Sequence, residues 1–391
     1  MRALLAAIER PTSPRPLAIA RIAIGAVAAL QALEVAPVLA RLNDPAVVRL
    51  PYADWVPRVS DLPAAVVVGV WVALAVLFSA GAFTSFSGLL LTVLLGALLA
   101  SDQQLYSNHL YLLAILVGVL TAGRAGTALS IDAHRHGAPA MVPGWPVLLL
   151  RAQVSIVYAF AGLSKVNAVY LSGTVVASTL RRDGALAIPE AWRAQEWMMA
   201  LAVISILAEI GLAIGLWIPR WRPSAFVLGV ALHGAIAIWL LPTDQLIVFG
   251  MMMLPIYILF VDARPASHVV VWDDACTFCT STIRWVRRLD WLHAMTFAPG
   301  SDDAVLRRYG ISRHEADEAI QLVGHRGRSS GYAAMAGIFE LLPLTFLVAP
   351  IMRIPPISSV GRRVYARVAR QRRCRVVWPA GAAASTPDGP R

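Results

Sequence analysis

Eight stretches of the chain are long, apolar and nearly free of charge: residues 16–37, 62–82, 84–101, 108–122, 145–167, 199–218, 224–241 and 245–261. A helix that crosses a bilayer needs about 20 such residues. Inside lipid the backbone has no water to bond, so each stretch must satisfy its own N–H and C=O groups, as a helix does. The pattern predicts an α-helical polytopic membrane domain of about 7–8 spans over residues 1–262. Charged residues make up 15% of the 391, against about 25% in soluble proteins. That excludes a wholly soluble fold.

The opening MRALLAAIERPTSPRP is interrupted by Glu9, Arg10 and prolines. It is expected to form a short interfacial helix rather than a cleaved signal. Residues 168–198 lack a continuous apolar run, and the two tryptophans of IPEAWRAQEWMM suit a headgroup boundary. With eight spans, Arg124, Arg135, Arg220 and Arg222 share a side with the N-terminus and the arginine-rich C-terminal region. Loop arginines mark the cytoplasmic side, so both termini are expected there. A single lysine among 34 Lys and Arg residues points to a GC-rich bacterial genome, hence a bacterial plasma (inner) membrane. Net charge is +11. A basic region tied to membrane helices faces anionic lipid, so the bilayer is the expected partner and nucleic acid is not.

After residue 262 the texture changes. HVVVW (268–272) reads as a strand and CTFCTSTIRWVRRLDWL (276–292) as a helix with Phe278, Ile283, Trp285, Val286 and Leu289 at helical spacing. MTFAP (295–299) and EAIQLV (318–323) read as strands, and SGYAAMAGIFELL (330–342) as a helix. This is a small α/β domain over 268–375. The proline-broken run 341–357 reads as a packing segment, not a further span, and 376–391 as a disordered tail.

Three cysteines, Cys276, Cys279 and Cys374, are too few for a disulfide framework. Cys276 and Cys279 form a CxxC at the expected start of a helix, where unpaired N–H groups favour a thiolate. Arg284, Arg287 and Arg288 are expected to add positive potential. Cys276 then attacks, Cys279 resolves, and Asp273 moves protons or ends the strand. The other readings are half of a zinc site, with no second CxxC to complete it, or inert core thiols.

WDDACTFCTSTIRWVRRLD, DEAIQLVGHRGRSSGYAAM and VGRRVYARVARQRRC together resemble the DCC family of thiol–disulfide oxidoreductases. The resemblance implies a thioredoxin-like fold, an Asp-x-x-Cys-x-x-Cys motif on Asp273, Cys276 and Cys279, and a protein or peptide thiol substrate. Asp274 stands where that family commonly has glycine.

Lys165, the one lysine, closes an apolar run. It reads either as a charge snorkelling to the surface or as a removable-proton base, a role arginine cannot fill. Arg151, Tyr158, Gly162 and Lys165 fall within roughly 60° on a helix. RPLAIARIAIGAVAALQAL, SNHLYLLAILVG, QVSIVYAFAGLSKVNAVYLSG and FGMMMLPIYILFVD resemble the horizontally transferred transmembrane (HTTM) domain, shared with vitamin K-dependent γ-glutamyl carboxylases. That resemblance implies Lys165 as the base that deprotonates a reduced quinone, and Asn108 and His109 as further site residues. Tyr158 and Gly162 are then expected to line a quinone site, with no metal. The β-rich peptide-handling region of the carboxylases has no counterpart here. A thiol oxidoreductase is therefore the first expectation. The alternatives are a carboxylase-like lysine-base enzyme with an accessory thiol domain, or a membrane maturation scaffold. Arg21 with Glu34, and Glu209 with a helix-end arginine, are expected as structural pairs.

Overall fold

The computed structural model describes residues 8, 9, 11–52, 55, 56, 58–180, 188–240, 243–261, 264–325 and 327–371. Most of the opening segment, the tail and Cys374 lie outside the described residues. The chain forms two compact units, one of residues 1–264 with 346–350, the other of 265–345 with 351–391.

The first unit is helical: α1 (Arg15–Leu42), α2 (Ala64–Ala80), α3 (Thr84–Ser101), α4 (Asn108–Ala122), the short α5 (Ile131–His136), α6 (Trp145–Ser164), the short α7 (Ala168–Leu171) and α8 (Thr174–Thr179), α9 (Gln195–Gly215), α10 (Arg222–Trp239) and α11 (Thr243–Ile256). Among the described residues, α1, α3, α6, α9 and α10 are long and apolar enough to cross a membrane; Ala64–Ala80, Asn108–Ala122 and Leu246–Phe260 are shorter apolar helices. Each of the eight expected apolar runs is thus a helix, but only five have full spanning length.

α1 packs along α2, α4 and α11. Its Arg21 is fully buried and, among the described residues, forms no ion pair with an acid in contact. The guanidinium donates to the carbonyls of Ala125 (3.0 Å), Leu129 (2.7 Å) and Ser79 (3.3 Å), tying the α4–α5 connection to the end of α2. This corrects the expected Arg21–Glu34 pair. Thirteen residues of helix separate the two by about 20 Å, and Glu34 accepts from Gln31 Nε2 at 2.8 Å instead. Gly81 follows α2 at φ 71°, and a Cβ there would lie 2.7 Å from Arg21 Nη1. Asp132 of α5 takes the backbone N–H groups of Phe83 (2.9 Å) and Thr84 (2.7 Å) and the Thr84 hydroxyl (2.7 Å), fixing the start of α3. Partial burial raises the Asp132 pKa, but these three bonds outweigh it and hold the carboxyl below its ordinary value.

The second unit is α/β. β1 (His268–Trp272), α12 (Thr277–Leu289), β2 (Met295–Pro299), α13 (Asp303–Tyr309), α14 (Arg313–Glu318), β3 (Gln321–Gly324), β4 (Gly327–Ser330), α15 (Gly331–Leu341), α16 (Ala349–Met352) and α17 (Pro355–Gln371) follow in order, the middle of α16 being the point where the chain passes from one unit to the other. The sheet order is β2-β1-β3-β4, with β1 and β2 parallel and the other pairs antiparallel. Val270 and Val271 of the central strand are fully buried, as a strand covered on both faces requires. Val271 packs with Leu306, Ile311 and Ala316 from the α13–α14 segment.

Two expectations change. The strand read over 318–323 begins at Gln321, because Ser312 and Glu315 form a capping box that starts α14 in the preceding residues. On α12 only Ile283 and Val286 are buried, while Phe278 and Trp285 are 54% and 60% exposed. The helix therefore presents a narrower core face than its apolar spacing predicted.

Candidate functional sites

β1 ends at Trp272, and the next four residues form the turn into α12. Asp273 Oδ1 accepts from the N–H groups of Ala275 and Cys276, both at 3.1 Å. The carboxylate thereby shapes the turn that delivers Cys276 to the N-cap of α12, with φ −87° and ψ 116°. Cys279 lies one turn on. Both cysteines are thiols, without a disulfide bond. The ligand atoms of Asp273, Cys276 and Cys279 lie within 4.8 Å of one another. Among the described residues no fourth metal-ligating side chain joins this group, whereas structural zinc takes four ligands.

The helix-start position of Cys276 matches the sequence reading, but its burial differs from the attacking role expected of it. Cys276 is fully buried, while Cys279 is half-buried and borders a cavity. The arginines also differ. Arg287 lies eleven residues on from Cys276, about three turns along α12. Its guanidinium stacks on Trp272 (5.1 Å) and Phe297 (5.0 Å), and Arg288 lies over Trp285. Asp274 is turned to other work: it accepts from Ser301 N (2.9 Å) and Ser301 Oγ (2.7 Å), fastening the loop after β2.

In the helical unit the expected residues divide. Lys165, the C-cap of α6, donates to Glu209 Oε1 of α9 at 2.5 Å, and its Nζ lies 5.5 Å over the Tyr170 ring. Glu209 therefore pairs with the lysine, not with a helix-end arginine. Gly162 is where α6 and α9 meet: a Cβ there would lie 2.9 Å from Ile210, so the space expected to take a ligand is filled by α9. Tyr158 is buried, and its hydroxyl meets His233 Nε2 and Tyr257 Oη, each at 2.7 Å. His109 lies against Phe249 at a tilt, with ring centroids 5.2 Å apart, and His233 meets the same ring edge-on at 5.5 Å. Asn108 is turned to Tyr106, whose hydroxyl donates to its Oδ1 at 3.3 Å. Arg151 donates to the Leu259 carbonyl and lies over Phe260, in the same 257–260 turn whose Tyr257 meets Tyr158.

Two atoms in this region, Glu209 Oε2 and His233 Nδ1, are buried without a partner among the described residues. Ionisable groups so placed within spanning helices mark functional positions more often than structural ones. His233 and Glu209 were visible in the sequence as intramembrane polar residues. Tyr257 was not, because a tyrosine inside YILF reads as one more apolar side chain.

Neither a curated protein nor a solved structure matches the chain. Residues 270–376 match the DCC1-like thiol-disulfide oxidoreductase family, the stretch that holds the four-stranded sheet and the dithiol turn. Residues 9–264, about two thirds of the sequence, match the HTTM domain, so the chain is a membrane protein of the HTTM-domain family carrying a DCC1-like domain after its helices.

Proposed function

We propose that the chain is a membrane-anchored thiol–disulfide oxidoreductase working through Cys276 and Cys279. The observation that carries this reading is the turn itself. Asp273 seats Cys276 at the start of α12, with a second thiol one turn away. The field at a helix start favours a thiolate, and a neighbouring thiol can close the disulfide. Burial supports a division of roles. Cys279 is the sulfur a substrate can reach, so it carries the mixed disulfide. Cys276 then attacks Cys279, releases the substrate thiol and leaves the Cys276–Cys279 disulfide.

Trapping tests this. Cys276→Ser is expected to accumulate a mixed disulfide through Cys279, resolved by added dithiothreitol and visible on non-reducing gels. Cys279→Ser is expected to trap none. Trapping through Cys276 in the Cys279→Ser protein would reverse the roles. No trapping in either, with unchanged cellular function, would favour the scaffold reading.

A second reading rests on the half-buried Lys165–Glu209 pair and on Glu209 Oε2, which has no partner among the described residues. There the helical unit holds an apolar ligand and Lys165 removes its proton. Lys165→Arg keeps the charge and abolishes the removable proton, so its loss of function with Cys279→Ser silent would favour this reading.

A further inference from the structure

The dithiol turn borders a cavity of about 400 Å³ enclosed by β1, α12, α15 and α17. That volume falls within the usual range of small-molecule sites. Beside Cys279 and Asp273, its wall is built from Trp272, Phe278, Tyr332, Met335, Phe339 and Val364. The hydroxyls that line it are already engaged within the protein. Tyr332 donates to the Met352 carbonyl (3.0 Å), Tyr365 accepts from Ile320 N (3.2 Å), and Thr282 donates to the Phe278 carbonyl (2.9 Å). One donor remains. Trp272 is 7% exposed, and its indole Nε1–H is buried with no partner among the described residues.

This chemistry selects its occupant. A peptide strand brings an N–H and a C=O for every residue, and this wall would leave most of them unsatisfied. A flat ring with few oxygens needs little beyond aromatic and aliphatic faces. An occupant that exchanges electrons with a dithiol must also accept two of them. The rim adds a route of access. α17 exposes Val360, Val364 and Val368 along one stripe, and at 100° per residue Arg367 and then Arg363 lie along one side of it. An apolar stripe flanked by arginines is the pattern of a helix lying on anionic lipid, and Val364 belongs to both stripe and cavity.

We propose that this cavity binds a quinone drawn from the lipid phase, and that the quinone oxidises the reduced dithiol there. The inference rests on the dithiol reading above. The two S–H bonds break and one S–S bond forms between Cys276 and Cys279. The two electrons and two protons released end as the two O–H groups of a hydroquinone. Asp273, within 4.8 Å of both sulfurs, is placed to pass a proton. The exchange then runs in reverse: a substrate thiol attacks Cys279, Cys276 leaves as the thiolate, and a second substrate thiol takes the first as a disulfide and restores the dithiol, so the cycle consumes only substrate thiol and quinone.

The test uses the full chain in detergent micelles with Cys276→Ser and Cys279→Ser together, which removes the chemistry and keeps the cavity. A photoreactive azido-ubiquinone analogue is bound and irradiated, and the labelled peptides are identified by mass spectrometry. Label on the α15 and α17 peptides, competed by decylubiquinone, is the expected result. Met335→Trp fills the cavity and is expected to lower that label at least tenfold. Val364→Trp, at an exposed rim position that tolerates bulk, does the same if the first variant fails to fold. Label confined to the helical unit, no competed label, or label indifferent to a folded variant would overturn the site. In the wild type, decylubiquinone is expected to convert the dithiol to a disulfide, read by loss of alkylation. Failure of that conversion while exchange with a small soluble disulfide proceeds would overturn the redox step alone. Failure of the exchange itself would sink the dithiol reading beneath it.

Discussion

Lys165 meets a carboxylate that has no second partner among the described residues, so the cost of removing the lysine is set by Glu209. Lys165→Met leaves a buried acid uncompensated. Breaking a buried pair costs about 3–5 kcal/mol, and the low end applies because the lysine side chain keeps 26% of its surface exposed. Adding Glu209→Gln to Lys165→Met is expected to recover much of that loss in thermal melts of the purified protein. Equal melting of single and double variants would show that the pair is solvated. Asp132 behaves oppositely with pH. Its folded pKa is lowered, so its contribution is full above the ordinary carboxylate value near 4 and fades as pH falls toward the folded value. Asp132→Asn should melt several degrees lower at pH 7, and that gap should narrow in acid below about pH 4. At this scale the sequence was a partial guide. Lysine against a background of arginine singled out position 165, yet its partner was legible only once α6 and α9 were packed, because a charge in one helix does not say which neighbour it will face.

Helices are positioned here by close approaches that a methyl group would block. At Gly229 of α10 a Cβ would lie 2.3 Å from Tyr257 Oη, so the bond between Tyr257 and Tyr158 depends on that glycine. Gly229→Ala is expected to destabilise by about 1–3 kcal/mol, the range for overpacking. Gly69 of α2 and Gly96 of α3 have nothing within 4 Å of such a Cβ. There, Gly→Ala is expected to be neutral or to gain up to about 1 kcal/mol of helix propensity. If melting of the three variants fails to separate in that order, the packing around Tyr257 is not as described. The strongly periodic elements were readable from sequence: the eight apolar helices, β1, β2 and α15. β4 (GRSS) was not, since it has no apolar alternation and exists only because β3 pairs with it. α17 was also missed as a helix, because two prolines precede an arginine-rich segment. The cavity wall follows the same logic. Cys276 and Asp273 were legible from motif spacing, whereas Tyr332, Phe339 and Val364 reach the dithiol only through the tertiary arrangement of α15 and α17.

At the scale of the whole chain, topology depends on three helices of intermediate length. Five helices of full length would be an odd number of crossings and place the chain ends on opposite sides of the membrane. Adding Ala64–Ala80, Asn108–Ala122 and Leu246–Phe260 makes the number even and puts both ends on one side. These three helices are about 22–26 Å long, against a hydrocarbon core of about 30 Å. The mismatch costs only fractions of a kcal/mol per Å, and the bilayer thins locally to meet it. Leaving them out of the bilayer would be worse. Ala64–Ala80 carries no charged residue and exposes Val66, Val70, Val76 and Leu77, an apolar surface that water disfavours at about 25 cal/mol per Å². Eight crossings are therefore expected, with the DCC1-like domain on the same side as the N-terminus. An epitope at the N-terminus, and Cys279 as the accessible thiol in a Cys374→Ser background, report the two ends. In spheroplasts, neither protease at the epitope nor an impermeant maleimide at Cys279 should gain access, and lysis should expose both. Access to one end but not the other in intact spheroplasts would mean an odd number of crossings. It would also place the dithiol and the N-terminus in different redox compartments, which changes the direction in which thiol exchange runs.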